Sequence, residues 1–376
     1  MSDLNFVSPA DAALNEARWS AACGQLRAWC KDGTLPSATL IAGRGDTAVA
    51  PVIYGSQDLQ KTAPIRDDAC FLVASVTKPI VASAALILVE RGQLVLSDKV
   101  VDYIPEFGRN GKNGIRIRHL VTHTSGLPDM LPNNVELREA GSPLSAFVEG
   151  TCDCELDFPP GKGSKYQSMG LAILGEIIQR VSGVPCAEFV RREIFEPLGM
   201  RDSHLGLPDA WFDKQPRLAN RVPQIRVPVE QEGKAWNWNE RYWLQLGAPW
   251  GGLVTTACDL ARFCQMMLGR SSVDVLSPAT IRAATRNQLE EMPNVPEVAR
   301  RTKPWGLGWR LNWPAHSANF GDFLGTRTYG HWGATGTVLW IDPDQDTFMV
   351  LLTTCPQEPH GTWLAKISNM VAAAFH

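Results

Sequence analysis

The chain has 376 residues, of which 36 are Lys or Arg and 39 are Asp or Glu, so its formal net charge is −3 at pH 7. A charge this close to balance argues against a nucleic acid or a strongly anionic membrane as its partner. The longest apolar run, residues 79–89, is too short to cross a bilayer. Residues 1–30 lack a basic start followed by an apolar stretch, so we expect no secretory signal.

Cysteine usage indicates the compartment. The nine cysteines are an odd number in a chain that needs no disulfides to build a core, which favours reduced thiols and a cytoplasmic location. Cys152-Asp153-Cys154 could suggest a metal pair, but no second pair or neighbouring histidine completes such a site. We therefore expect no bound metal.

The first third of the chain predicts a helix, a hairpin and a second helix. Ser8-Pro9-Ala10-Asp11 is typical of a helix start, and the amphipathic pattern continues to about Gly33. Residues 37–43 and 48–54 are short, partly β-branched runs that predict two strands. Residues 71–90 then predict a buried helix capped by Gly92.

The middle of the chain has a helical period, and the strand period returns after it. Helices are predicted at 115–122, 169–181, 187–195 and 259–268, and another is predicted to begin at Ser277. Strands are predicted at 305–312, 328–332, 335–341 and 347–354, followed by a helix at 363–375.

This order predicts an α+β fold: an antiparallel sheet flanked by N- and C-terminal helices, with a large inserted helical lobe. We expect one lobe from residues 1–95 plus 301–376 and a helical lobe from 96–300. The active site is expected in the cleft between them.

Ser75 and Lys78 stand at the start of the buried helix. Residues three apart on a helix are about 5–6 Å apart, so the lysine amine can reach the serine oxygen. A serine needs a base, and a lysine can serve if burial lowers its pKa. Because four-residue patterns recur by chance, this pair alone is weak evidence of function.

Two later elements add to it. Tyr166 and Ser168 lie just before a helix, where a phenol beside an amine can relay a proton; alternatively, they are a capping serine and a half-buried tyrosine. The glycines around His331-Trp332-Gly333 indicate close backbone approach, as at a strand that offers an N–H to an oxyanion. The alternative is a bulge in an ordinary strand.

In this order, Ser75-x-x-Lys78, Tyr166-x-Ser168 and His331-Trp332-Gly333 resemble the motifs of the serine β-lactamase and penicillin-recognising superfamily, on the branch of class C β-lactamases and their esterase relatives. Spacer phrases match too, as in Leu120-Val-Thr-His-Thr-Ser-Gly-Leu-Pro128 and Phe158-Pro-Pro-Gly161, and the resemblance covers roughly residues 35–355.

The resemblance implies a β-lactamase-like fold and roles for individual residues. Ser75 would be the acylated nucleophile, and Lys78 its proton acceptor or hydrogen-bond partner. Tyr166 would exchange protons with the attacking and leaving groups, and which of Lys78 and Tyr166 is the base is left open. The backbone N–H groups of Ser75 and Ala334 would form the oxyanion hole.

Two departures from the family pattern bear on the substrate. Ser168 stands where β-lactamases have an asparagine, and His331-Trp332-Gly333 stands where they have Lys-Thr-Gly. The lost lysine and threonine help to hold a substrate carboxylate, and a neutral histidine replaces them poorly. His-x-Gly is common among the family's esterases, so the resemblance favours uncharged acyl esters.

A tryptophan-rich segment, residues 223–250, fits no regular period. Its aromatic side chains either cover the core or wall an apolar pocket, and we count Trp238 and Trp243 with Ser168, His331, Trp332 and Gly333 as candidate substrate contacts. His119, His123, His204 and the Arg191-Arg192 pair are interpreted as structural or solvated.

The sequence is therefore interpreted as a cofactor-free serine hydrolase that cleaves small-molecule carboxylic esters through an acyl-enzyme on Ser75. The alternatives are a β-lactamase or D-amino-acid peptidase, a small-amide hydrolase, an acyltransferase, and a catalytically silent binding module. The sequence leaves the acyl and alcohol specificity and the oligomeric state open.

Overall fold

A computed structural model of the chain describes residues 4–213, 220–231, 233–234, 236–313, 319–356 and 362–376. The strands are β1 (Asn5–Val7), β2 (Ser37–Arg44), β3 (Thr47–Val49), β4 (Val52–Gly55), β5 (Phe71–Leu72), β6 (His204–Leu205), β7 (Leu253–Thr255), β8 (Arg310–Leu311), β9 (Tyr329–Gly333), β10 (Thr337–Asp342) and β11 (Thr347–Thr353).

The α-helices are α1 (Glu16–Asp32), α2 (Thr77–Glu90), α3 (Ile117–Val121), α4 (Asn134–Glu139), α5 (Leu144–Asp153), α6 (Met169–Ser182), α7 (Cys186–Val190), α8 (Glu196–Leu198), α9 (Ala210–Asp213), α10 (Arg241–Leu246), α11 (Ala257–Met267), α12 (Pro278–Ala284), α13 (Glu297–Thr302) and α14 (Trp363–Ala372). Short 3-10 turns occur at Ala74–Val76, Val100–Asp102, Pro105–Gly108, Lys112–Gly114 and Val229–Gln231, and a π turn at Arg191–Phe195.

The main sheet has the strand order β1-β3-β2-β11-β10-β9-β8, with β4 also paired to β2. All of its pairs are antiparallel except β1 with β3, so the predicted antiparallel sheet is confirmed apart from its first strand. The single strand predicted over residues 48–54 is two strands. Residues 50–51 between them belong to neither strand, and Pro51 has no N–H to donate to the ladder.

Both faces of the sheet are buried, because successive side chains along each strand point to opposite faces and each face packs against helices. Leu40 and Leu351 face a core shared with α1 and α14, whereas Ile41 and Val350 face a larger core shared with α2, α6 and α11. Each fully buried aliphatic side chain of this size stabilises the fold by about 1.5–3 kcal/mol. The α+β prediction, with terminal helices flanking the sheet, is therefore confirmed.

The N-terminal helix begins later than predicted. Asn15 caps α1 by accepting a hydrogen bond from the Arg18 N–H, whereas Ser8 and Asp11 bond to each other in a separate turn. The Ser-Pro-x-Asp pattern therefore forms a local turn here instead of a helix start. Serine and aspartate side chains make the same kind of hydrogen bonds to nearby backbone in turns and at helix starts.

The helical part of the chain follows the predicted elements within a few residues. The predicted helix at 187–195 begins as α7 and continues as the π turn after Val190. None of the described helices is long and apolar enough to cross a membrane. The division into two lobes with the site in the cleft between them stays a prediction.

Helix α2 is the element that positions the site. Residues 77–88 are all buried, which is the pattern of a core helix that packs on every side.

The strand predicted at 305–312 is mostly a loop, and only Arg310–Leu311 form a strand, β8. In that loop Gly308 has a φ of 82° and lies so close to α2 that a Cβ would overlap the Ala82 side chain. The loop is thereby held against the first turns of α2.

Candidate active site

Ser75 is presented by a sharp turn between β5 and α2. The Val73 N–H donates to the Leu253 carbonyl at 2.9 Å, and the Thr335 hydroxyl donates to the Leu72 carbonyl at 2.7 Å, so the end of β5 is held from both sides. Ala74 then has a φ of 46°, in a region that non-glycine residues rarely adopt. Such strained backbone is found at functional sites that the surrounding structure holds in place.

The structure brings Ser75, Lys78 and Tyr166 together. Lys78 Nζ lies 2.9 Å from Ser75 Oγ, and the Tyr166 hydroxyl donates to the same oxygen at 2.7 Å. Lys78 Nζ also donates to the Trp250 carbonyl at 2.8 Å. The Ser75 oxygen therefore has a buried amine and a phenol within hydrogen-bond reach.

Burial sets the protonation of these two partners. Lys78 is 1% exposed, and this burial lowers the pKa of its amine to about 7, against the opposing effect of the Asp129 carboxylate. Burial raises the pKa of Tyr166 above its ordinary value, although its hydrogen bond to Ser75 acts in the opposite direction. Near neutral pH the phenol is therefore protonated, and a substantial fraction of the amine is neutral.

His331 is buried and neutral. Its Nδ1 lies 2.7 Å from the Trp332 carbonyl, which can only accept, so Nδ1 carries the proton. Burial, with the charge of Lys78, lowers the pKa of His331 to about 3. Its Nε2 is buried without a hydrogen-bond partner in the described part of the chain. His331, which takes the place of a lysine in the motif comparison above, is therefore neutral and has Nε2 as a hydrogen-bond acceptor.

Gly333 brings strand β9 against the end of β5. A Cβ at this position would overlap the Val73 carbonyl oxygen, which also accepts a hydrogen bond from the Thr337 hydroxyl at 2.9 Å. The close backbone approach expected from the glycine is therefore present, and it places Ala334 beside the Ser75 turn. Trp332 is half-buried and packs against Phe320 on the other core, with ring centroids 5.7 Å apart.

Ser168 is buried immediately before α6. Its N–H donates to the Asp129 carbonyl at 3.2 Å, and its side chain makes no capping hydrogen bond to the helix. The alternative interpretation of Ser168 as a helix cap is therefore not supported. The contact instead places Asp129 beside the loop that carries Tyr166.

The two candidate tryptophans occupy different places. Trp243 is buried, and its ring centroid lies 6.4 Å from that of Trp250, whose carbonyl bonds Lys78. Trp238 is partly buried against the larger core, with no ring contact to another described aromatic side chain. Of the two, Trp243 is the one connected to the site, through its ring contact with Trp250.

His123 and Trp305 were not expected at the site. The Gln167 N–H donates to His123 Nδ1 at 3.2 Å, and the His123 ring centroid lies 4.9 Å from that of Tyr166. Trp305 packs against His123, Tyr166 and His331, with centroid distances of 4.1, 6.0 and 5.9 Å. His123 lies in the Leu120–Pro128 phrase, which is one of the stretches that carry the family resemblance and so could have indicated a place at the site. Trp305 lies in a segment predicted as a strand, and no sequence pattern indicated a place for it at the site.

Arg310 is a cation at the site that the sequence did not indicate. Its guanidinium carbon lies 5.3 Å from the centroid of the Trp305 ring and 6.0 Å from that of Trp332. Arg310 belongs to no sequence motif, and it reaches the site through the pairing of β8 with β9.

Comparison with known proteins finds a family model and relatives that match most of the chain. A family model described as Beta-lactamase matches residues 20–367. Esterase EstB of Burkholderia gladioli is 30% identical over an alignment 380 positions long, and the alignment covers 93% of this chain and 92% of the esterase.

Two solved structures have the same fold. A penicillin-binding protein homolog from Caulobacter crescentus has a TM-score of 0.77 at 22% identity and covers 96% of this chain and 98% of its own. A family VIII carboxylesterase has a TM-score of 0.76 at 19% identity and covers 98% of this chain and 99% of its own.

Proposed function

The chain belongs to the beta-lactamase family, and on that premise we propose that it is a serine hydrolase that cleaves carboxylic esters through an acyl-enzyme on Ser75. One observation carries the proposal: the Ser75 oxygen lies within hydrogen-bond distance of a buried amine with a lowered pKa and of a protonated phenol. A nucleophile that contacts a base and an acid at once is equipped for acyl transfer.

Lys78 is the base for acylation. In its neutral form the amine has a lone pair 2.9 Å from the Ser75 hydroxyl and takes its proton as the oxygen bonds the substrate carbonyl carbon. Tyr166 is less suited to this step, because burial raises its pKa and keeps the phenol protonated. The two residues, whose roles the sequence left open, thus divide into a base and a proton donor.

Tyr166 is the proton donor to the leaving group. The bond between the carbonyl carbon and the alcohol oxygen breaks, the alcohol oxygen takes the phenolic proton, and the proton held by Lys78 restores the phenol. In deacylation, water attacks the acyl carbon and gives a proton to Tyr166, while the phenolic proton passes to Lys78. Lys78 then returns a proton to Ser75 Oγ as the acid leaves, so the enzyme is regenerated.

The backbone N–H groups of Ser75 and Ala334 stabilise the oxyanion. No hydrogen bond to another described residue uses either N–H, so both can donate to the carbonyl oxygen as it gains charge. Gly333 supports this arrangement, because it allows β9 to approach the Val73 carbonyl.

The remaining candidates are assigned to substrate binding. Ser168, His331 and Trp332 lie on the Tyr166 and β9 sides of the site, and Trp243 with Trp238 is assigned to the acyl side. His331 favours esters over β-lactams, because a neutral side chain stands in place of the lysine that helps to hold a β-lactam carboxylate. A cytoplasmic location and the absence of a cofactor stay predictions from the sequence.

The test compares Ser75, in the turn just before α2, with a buried serine of α2 itself. Ser75→Ala is expected to abolish turnover of p-nitrophenyl butyrate and the acyl adduct seen by intact-protein mass spectrometry. Ser83→Ala is the matched control, because Ser83 is buried in α2 and its hydroxyl has no hydrogen-bond partner among the described residues. Near-normal turnover by Ser75→Ala would rule out the mechanism. Turnover of a chromogenic cephalosporin without ester turnover would favour the β-lactamase alternative.

A further inference from the structure

His123 is bonded to both residues that flank Tyr166. The Lys165 N–H donates to the His123 carbonyl at 3.0 Å, and the Gln167 N–H donates to His123 Nδ1 at 3.2 Å. Tyr166 lies on a loop, and loops are the more mobile parts of a fold. Here one residue holds the backbone on both sides of the tyrosine, so the point from which the phenol extends is fixed.

The His123 ring also packs against the Tyr166 ring. Their centroids are 4.9 Å apart, and their planes are tilted by 39°. Trp305 packs against His123 with centroids 4.1 Å apart and stacks with Tyr166 at 6.0 Å. Because His123 is only 1% exposed, its ring cannot move without displacing these neighbours. The phenol is thereby held in direction as well as in position.

His123 has a backbone conformation that a histidine rarely adopts. Its φ is 55°, in the left-handed region. Ala74, the residue before Ser75, lies in the same region with a φ of 46°. Strained backbone of this kind persists where the surrounding structure holds it, and it is concentrated at functional sites. The nucleophile and the proton donor are therefore each held by a strained residue.

The Gln167 side chain joins the same two segments a second time. Its carbonyl oxygen accepts a hydrogen bond from the Ser125 hydroxyl. Its amide nitrogen donates to the carbonyls of His119 and Leu120, both at 3.3 Å. The residue after Tyr166 is thus bonded to the His123 segment through its side chain as well as through its backbone.

The bond from Gln167 requires one form of the His123 ring. A backbone N–H can only donate, so Nδ1 is unprotonated and the neutral ring carries its proton on Nε2. Burial, with the charge of Lys78, lowers the pKa of His123 well below its ordinary value, so the ring stays neutral and keeps this acceptor near neutral pH. His331 has the opposite form, with its proton on Nδ1.

We propose that His123 is a positioning residue for the reaction: it holds the Tyr166 hydroxyl 2.7 Å from Ser75 Oγ, so that the phenol can protonate the alcohol of an alkyl ester as it leaves. The inference rests on the proposed ester hydrolysis, and it gives His123 a more specific role than the structural one expected from the sequence. An alkoxide needs a proton as its bond to carbon breaks, whereas p-nitrophenolate leaves with little help. Displacement of Tyr166 should therefore affect alkyl esters most.

The test uses two esters with the same acyl group. Ethyl butyrate and p-nitrophenyl butyrate form the same acyl-enzyme and differ only in the leaving group. The ratio of kcat/KM for the ethyl ester to that for the p-nitrophenyl ester is measured in the wild type, His123→Gly and His123→Asn. Glycine adopts the left-handed φ without strain but has no side-chain acceptor. Asparagine tolerates this φ and has an acceptor oxygen on Cγ, where histidine has Nδ1, but it has no ring.

The ratio is expected to fall by about 10- to 100-fold in His123→Gly, because a displacement of about 1 Å can cost about 10² in rate. His123→Asn should keep part of the ratio, because it can still accept from the Gln167 N–H. His204→Gly is the matched control. It removes another histidine ring packed on a tryptophan, at 5.2 Å from Trp211, but one without a hydrogen bond or ring contact to Tyr166 or its described neighbours. The ratio should not change in this control.

A second measurement does not depend on the folding of His123→Gly. In the NMR spectrum of the wild-type histidine nitrogens, the His123 signals, assigned by their loss in His123→Asn, should show a proton on Nε2 and none on Nδ1. Three results would overturn the inference: a proton on Nδ1, an unchanged ratio in His123→Gly, or a ratio in His123→Asn as low as in His123→Gly. A failure of the proposed function is distinct, because the wild type would then hydrolyse neither ester and Ser75 would carry no acyl group.

Discussion

Lys78 Nζ lies 2.9 Å from Ser75 Oγ at a position where the lysine is almost completely buried. A lysine in water is charged at neutral pH and cannot accept a proton. Here burial lowers the pKa of the amine to about 7, so the same group is partly neutral near pH 7 and can accept a proton.

The first prediction is a pH profile. With a base of pKa about 7, kcat/KM for p-nitrophenyl butyrate should rise with pH, reach half its plateau near pH 7 and lie about tenfold below the plateau at pH 6. The histidines beside Tyr166 do not titrate in this range, since burial lowers the pKa of His331 to about 3 and that of His123 well below its ordinary value.

Lys78→Arg is the matched variant for the pH profile. The guanidinium keeps a positive charge at all accessible pH values, so it cannot act as the base, and turnover should fall by about 10² to 10⁴ without a rise near pH 7. An unchanged profile in this variant would assign the titration to another group.

A second prediction concerns the contact between β9 and β5. Gly333→Ala should lower both the melting temperature and kcat, because the new Cβ overlaps the Val73 carbonyl and the strand must move, carrying the Ala334 N–H with it. Overpacking of this kind costs about 1–3 kcal/mol in the free energy of unfolding. Gly325→Ala is the control, since a Cβ there meets open space. Wild-type stability and turnover in Gly333→Ala would contradict the role given to this approach.

A third prediction separates the two tryptophans. Trp243→Ala should change the preference among p-nitrophenyl acetate, butyrate and octanoate by about 1–3 kcal/mol in transition-state binding, because Trp243 packs on Trp250 beside Lys78. Trp238→Ala should change it less, because Trp238 has no such contact. Chain-length profiles and melting temperatures are measured together. An unchanged profile in Trp243→Ala with a lower melting temperature would show that this indole only covers the core.

Local features of the site could be predicted from the sequence. The three-residue spacing of Ser75 and Lys78 on a helix fixes their proximity through backbone geometry alone, and the apolar run around them predicts that the helix is buried. Gly333 signals close backbone approach because no other residue fits where a Cβ would overlap a carbonyl. The short, partly β-branched runs and their order in the chain likewise predict an antiparallel sheet with flanking helices.

Other features depend on segments far apart in the chain. Tyr166 contacts Ser75 although the two lie 91 positions apart in the chain, and the amine of Lys78 donates to the Trp250 carbonyl. The pKa of Lys78 therefore depends on packing that no local pattern encodes. Arg310 belongs to no motif and acquires its place only when β8 pairs with β9. The sequence by itself determined which groups can react, because reactivity and local spacing are properties of the side chains and backbone. The tertiary structure decided their protonation and their neighbours, because desolvation and long-range contact are set by everything packed around them.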